Sequence, residues 1–92
     1  MELFKKEPRT GFVRRKDKWQ EVSIEAIEEG DEVMIKPGGQ IPVDGLVIDG
    51  TSFVNEATLT GEALPVEKQM GDVLMGASMN TSGILIMKAN KI

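Results

Sequence analysis

Apolar residues along this chain fall in short alternating or continuous runs set apart by glycine, proline and charged clusters, and the i, i+3, i+4 spacing of an amphipathic helix is scarce. Gly11-Phe12-Val13-Arg14-Arg15 and Trp19-Gln20-Glu21-Val22-Ser23 flank Lys16-Asp17-Lys18 and predict a hairpin with a charged turn. Ser23 is placed to cap a single helical turn over Ile24 to Glu28 that Gly30 ends. Glu32-Val33-Met34-Ile35-Lys36 predicts a strand closed by Pro37-Gly38-Gly39, a turn of one residue with fixed φ and two that tolerate positive φ. Gly45-Leu46-Val47-Ile48-Asp49 predicts the next strand, and Phe53-Val54 a short extended piece. Asn55 to Thr58 then turns, and Thr60-Gly61-Glu62 falls in a loop ended by Pro65-Val66-Glu67. Val73-Leu74-Met75 and the apolar run Gly83 to Ala89 complete about seven short strands, the close spacing of a small sandwich or barrel. Glu2 to Glu7 is expected to be the tail of a helix that Pro8 stops, because the proline ring cannot continue the helical ladder.

Length and composition narrow this picture. Ninety-two residues with 40% hydrophobic content suffice for one small core and not two. A net charge of -4 argues against a phosphate-tracking basic surface, so nucleic acid is not an expected partner. With no Cys and no His, the chain has no thiolate or imidazole for a metal, no disulfide and no Ser-His or Cys-His pair. Its chemistry must rest on carboxylates, hydroxyls, lysines or backbone. The longest apolar stretches fall far short of the roughly 20 residues that span a bilayer, and no signal-peptide core is visible, so the chain is expected to be soluble and intracellular.

Polar groups on a glycine-flanked loop held by rigid strands are where such chemistry is to be sought, because these loops approach a partner closely without losing position. Thr58-Leu59-Thr60-Gly61-Glu62-Ala63-Leu64-Pro65 fits best. Gly61 permits close backbone approach, Pro65 stiffens the exit, and Glu62 puts a carboxylate at the tip. By itself, a lone loop glutamate is more often a solvated surface charge.

The segment Asn55-Glu56-Ala57-Thr58-Leu59-Thr60-Gly61-Glu62-Ala63-Leu64-Pro65-Val66-Glu67-Lys68 resembles, along its length, the signature loop of the P-type ATPase actuator domain. Upstream, Glu29-Gly30-Asp31-Glu32-Val33 and Lys36-Pro37-Gly38-Gly39-Gln40-Ile41-Pro42-Val43-Asp44-Gly45 are similar to that family's strand and turn. Within the family, the Ile-Pro-Val-Asp-Gly turn resembles the heavy-metal branch, with copper, zinc, cadmium and cobalt all open. Ala63 stands where many relatives have Ser or Pro, and Asn55 where many have Asp. The resemblance implies an all-β domain of distorted jelly-roll or double-sheet type over residues 9–92, with residues 1–8 as the end of a linker helix from a preceding membrane segment. It implies Glu62 as the residue that helps hydrolyse an aspartyl phosphate, with Thr60 and Gly61 shaping its loop. It further implies no cofactor in this chain, with ATP, magnesium and a transported heavy-metal ion belonging to a parent membrane protein. The implied partners are the phosphorylation domain, nucleotide-binding domain and membrane helices of that parent, on its cytoplasmic side, and the isolated piece is expected to be monomeric.

Other residues have plainer readings. Met34, Met75 and Met87 lie in predicted strands and are expected as core filler rather than copper(I) ligands. Asp44 with Glu56 suggests a magnesium site less readily than a turn cap at Asp44. The cluster Arg14-Arg15-Lys16 with Lys18 and Trp19 is expected as a solvated hairpin end rather than a lipid contact. Two rival functions remain: a β-barrel carrier that displays Lys68 for lipoyl or biotinyl attachment, and a purely structural β domain.

Overall fold

The computed structural model describes residues 10–56 and 64–90; the linker helix expected over residues 1–8 lies outside them. Nine strands are described: β1 (Thr10–Arg15), β2 (Lys18–Ser23), β3 (Glu32–Ile35), β4 (Gly45–Asp49), β5 (Ser52–Asn55), β6 (Val66–Lys68), β7 (Val73–Leu74), β8 (Met79–Asn80) and β9 (Leu85–Ala89). They form a six-stranded sheet in the order β2-β1-β3-β9-β4-β7 and a three-stranded sheet in the order β6-β5-β8, and every pairing is antiparallel. The all-β, double-sheet expectation holds. β6 and β8 add to the seven strands expected.

The first hairpin forms where the sequence places it. Arg15 pairs with Lys18 across a two-residue turn, and Lys16 and Asp17 both take positive φ, 55° and 63°. Two positive φ values give the turn the twist that flanking strands require. After β2, Ser23 Oγ accepts the Glu25 N–H at 3.3 Å and caps a 3-10 turn of only three residues, Ile24–Ala26. The predicted turn to Glu28 is therefore cut short: Ile27 leaves it in extended conformation and is buried in the core.

Strand alternation builds the core. Val13, Val33, Met87 and Val47 pair in register across β1, β3, β9 and β4, and all four are buried. Ile35, Leu74 and Leu85 join them from the same sheet, and Val54 comes from the smaller one. Each such side chain contributes about 1.5–3 kcal/mol on burial.

The chain changes sheets four times, at β4–β5, β6–β7, β7–β8 and β8–β9, and the first and last of these connections touch. A Cβ on Gly50 would collide with the Ile84 carbonyl oxygen, and one on Gly83 with the Thr51 carbonyl oxygen, so glycine is required on both sides of the contact. Two buried polar side chains hold this crossing. Asn80 donates from Nδ2 to the carbonyls of Ile35 at 3.2 Å, Lys36 at 3.1 Å and Gly83 at 2.6 Å, and its Oδ1 accepts the Ser52 hydroxyl at 2.5 Å. Ser52 Oγ in turn accepts the Gly83 N–H at 2.8 Å.

A second clamp ties β1 to the connection before β3. Arg15 donates to Asp31 at 2.6 Å and to the Ala26 carbonyl at 2.8 Å, while Asp31 also accepts the Glu28 N–H at 2.8 Å. The Arg15 hydrogen bond holds the Asp31 carboxyl below the usual aspartate range; partial burial opposes the shift, and the Glu28 N–H and the Arg15 charge reinforce it. The same hydrogen bond raises the Arg15 guanidinium.

Two outcomes are expected. Asn80→Ala orphans buried carbonyls and the Ser52 hydroxyl, and is expected to cost about 2–4 kcal/mol in urea unfolding. Because the folded Asp31 pKa lies below its unfolded value, its contribution is full above the usual aspartate pKa, about 4, and is lost as pH falls through the lower folded pKa. Unfolding midpoints measured from pH 7 to pH 2 are expected to fall less steeply below about pH 4 in Asp31→Asn than in the parent chain.

Candidate functional site

β5 and β6 form a hairpin with Ser52 opposite Lys68, Phe53 opposite Glu67 and Val54 opposite Val66. Residues 57–63 connect the two strands, and the candidate residues Thr60, Gly61 and Glu62 therefore lie outside the described residues, while both ends of their connection are described. Pro65 stands immediately before β6 and has no N–H with which to extend the ladder. β5 is the middle strand of its sheet and is held on its other side by β8, with Val54 opposite Asn80 and Asn55 opposite Met79. Thr81 reinforces that edge, donating its N–H at 2.9 Å and its hydroxyl at 2.7 Å to the Phe53 carbonyl. The stem is thus anchored on one side by the hairpin ladder and on the other by the Asn80 junction.

One charged pair sits at this stem. Lys68 Nζ lies 3.3 Å from Glu56 Oε2, and the two side chains are only 14% and 16% exposed. The sequence signal for it was weak: Glu56 continues the inward parity of Ser52 and Val54, but one residue beyond a strand end carries little pattern.

Comparison with known proteins bears on the whole chain. Residues 5–92 match the family profile of the P-type ATPase actuator domain. The chain belongs to that family. It is 44% identical over 90 residues to the copper-exporting P-type ATPase B of Archaeoglobus fulgidus, covering 98% of this chain and 13% of that protein. It is also 44% identical over 86 residues to copper-transporting ATPase 2 of Rhizobium meliloti, covering 94% of this chain and 10% of that protein. A crystal structure of a zinc-transporting PIB-type ATPase in an E2.Pi state superposes with a TM-score of 0.85 at 27% identity, covering 91% of this chain and 14% of that one. The chain therefore spans about a tenth of the length of the relatives it resembles.

The remaining candidates of the actuator domain have structural placements. Lys68 lies within β6 and is ion-paired, not displayed on a hairpin tip as a carrier lysine must be. Asp44 does act as a cap, but across the fold: its Oδ1 accepts the Gly76 N–H at 2.6 Å. Glu56 is engaged by Lys68, and among the described residues no group of three or more acidic, His or Cys side chains is arranged to hold a metal. Met87 is core, as expected, and Met34 is half-buried. Met75 is not core: β7 ends at Leu74, and Met75 enters the following turn 42% exposed. In the basic cluster, Arg14 pairs with Glu32 at 2.8 Å and lies 6.0 Å from the Trp19 ring centroid. With Arg15 bound to Asp31, both arginines are ion-paired within the domain, while Arg14 stays 47% exposed and Lys16 and Lys18 also face solvent at the hairpin's charged end. Among the described residues, no helix is long and apolar enough to cross a membrane.

The placement of Lys68 makes the carrier reading testable by intact mass. Co-expressed with a lipoyl or biotinyl ligase, the chain is expected to retain its sequence mass of 10.1 kDa; a stoichiometric adduct on Lys68 would contradict its enclosure.

Proposed function

We propose that this chain is the actuator domain of a heavy-metal-transporting P-type ATPase, and that its Thr60-Gly61-Glu62 loop promotes hydrolysis of the aspartyl phosphate formed on the phosphorylation domain of the same protein. The observation that carries this is the family match along residues 5–92, which includes a Thr60-Gly61-Glu62 loop strung between two paired strands. The cargo is a heavy-metal cation, in keeping with relatives named for copper and a structural neighbour named for zinc. ATP and magnesium serve the other domains of the parent.

The chemistry asked of Glu62 is general base catalysis. Its carboxylate orients a water against the phosphorus and takes one of the water's protons. The new P–O bond forms as the bond to the aspartyl oxygen breaks, and inorganic phosphate leaves. Proton transfer to a positioned side chain contributes about 10²–10⁴-fold. Thr60 and Gly61 shape the backbone so that the carboxylate fits beside the phosphoryl group.

Glu62 must be absent while the aspartate is being phosphorylated, or the phosphoenzyme would be lost before the ion moved. The domain therefore has to rotate as a body, driven through its links to membrane helices. Two sheets packed on one core and tied by the Asn80 amide to the Ile35 carbonyl suit that role, because a packed interior transmits displacement with little deformation. The domain works on the cytoplasmic side of the membrane and as a single copy within its chain.

The test is phosphoenzyme decay in a full-length pump carrying this domain, labelled with radioactive ATP and then chased. Glu62→Gln is expected to form the aspartyl phosphate and to lose it at least about 100-fold more slowly. Decay at the parent rate would overturn the proposal.

A further inference from the structure

The Glu56–Lys68 pair has a geometry that simple cross-strand stabilisation does not require. Residues opposite one another in an antiparallel pair share a face, so Lys68, opposite Ser52, starts on the inward face with Ser52 and Val54. Glu56 lies four residues beyond Ser52, about 13 Å of strand at 3.3 Å per residue. To bring Nζ within 3.3 Å of Glu56 Oε2, the two side chains must reach toward one another along the hairpin and between them span the last paired position, Val54 and Val66. The lysine's partner is the residue from which the chain departs into the connection. The pair is a brace parallel to the strands.

Its setting is costly for two charges. Both side chains are largely enclosed, at 14% and 16% exposure, so each is partly desolvated, and an apolar pair of similar volume would serve stability as well or better. Enclosure also leaves the attraction less weakened by salt than at an open surface. What an ion pair supplies and an apolar contact does not is a defined distance between two points. Here those points are the last residue of β6, held in its ladder opposite Ser52, and the first residue past β5.

We infer that the Glu56–Lys68 ion pair is a positioning element for hydrolysis: it sets where the connection leaves the hairpin and hence where Glu62 stands against the phosphoryl group. This rests on the function proposed above. Neither residue touches the reacting atoms. Displacing a catalytic group by about 1 Å costs up to about 100-fold in rate. Phosphorylation of the aspartate proceeds without the loop, so a defect in the brace falls on phosphoenzyme decay and spares formation.

The experiment compares Glu56→Gln, Lys68→Met, their combination, Lys68→Arg and Glu62→Gln in a full-length pump carrying this domain, following formation and decay of the phosphoenzyme. Glu56→Gln and Lys68→Met are expected to form it at the parent rate and lose it about 10- to 100-fold more slowly. The double variant is expected to be no slower than the slower single, since both singles break the same ion pair, and Lys68→Arg, which keeps the charge, to recover most of the decay rate. If the single variants decay at the parent rate while Glu62→Gln is slow, or if formation and decay fall together, the pair is structural and the inference is overturned. If Glu62→Gln itself decays normally, the proposed function fails instead.

Discussion

Two sheets in so small a chain share a core only if the backbone can pass between them without leaving buried polar groups unpaired, and the Ser52–Asn80 junction meets that condition. Asn80 lies on β8 but bonds the carbonyls that end β3, the carbonyl of Gly83 on the way to β9, and the hydroxyl that opens β5. A single amide thus satisfies backbone carbonyls at the end of a larger-sheet strand and in the crossing, together with a side-chain hydroxyl of the smaller sheet. Such groups are expensive to bury without partners, and each bond also fixes the angle at which the smaller sheet stands over the larger. The β5–β6 hairpin inherits its orientation from there.

The division of labour between the sheets follows. The six-stranded sheet supplies most of the buried surface through the row Val13, Val33, Met87 and Val47. The three-stranded sheet contributes Val54 and is otherwise a mount: Phe53 and Val66 are exposed, its Ser52 and Asn80 side chains tie it to the crossing, and the Glu56–Lys68 pair sits at the stem of one connection. Stability and presentation are thereby separated, so the presented loop can be tuned for its partner without disturbing the larger core.

Much of the larger sheet was legible in the sequence because its strands carry patterns. β1 and β2 alternate around a charged turn, β4 ends where the sequence places it, and β9 reads as a continuous apolar run. β6 and β8 were not legible. Val66-Glu67-Lys68 follows a proline and shows no buried alternation, and Met79-Asn80 is two residues long; both are strands only because β5 lies between them. Met75 was misplaced because two strand residues end too soon to carry it inward. Asn80 could not be singled out, since its acceptors Ile35 and Lys36 lie far off in sequence and only the fold brings them together. The loop at Thr60-Gly61-Glu62 was legible as punctuation, but its chemistry came from family resemblance, and its stem pair joins residues that local spacing does not connect.

The position of β9 has a consequence for how the domain comes into being on the ribosome. The last described strand in the chain, Leu85–Ala89, is inserted between β3 and β4 in the middle of the larger sheet. Until those residues leave the exit tunnel, the edges of β3 and β4 that β9 joins lack their partner strand. Closure of such non-local pairings is slow, and exposed strand edges invite association with other chains. Translation that continues promptly past Ala89 therefore shortens the interval in which the nascent domain is open to misassembly, and a pause shortly before it prolongs that interval.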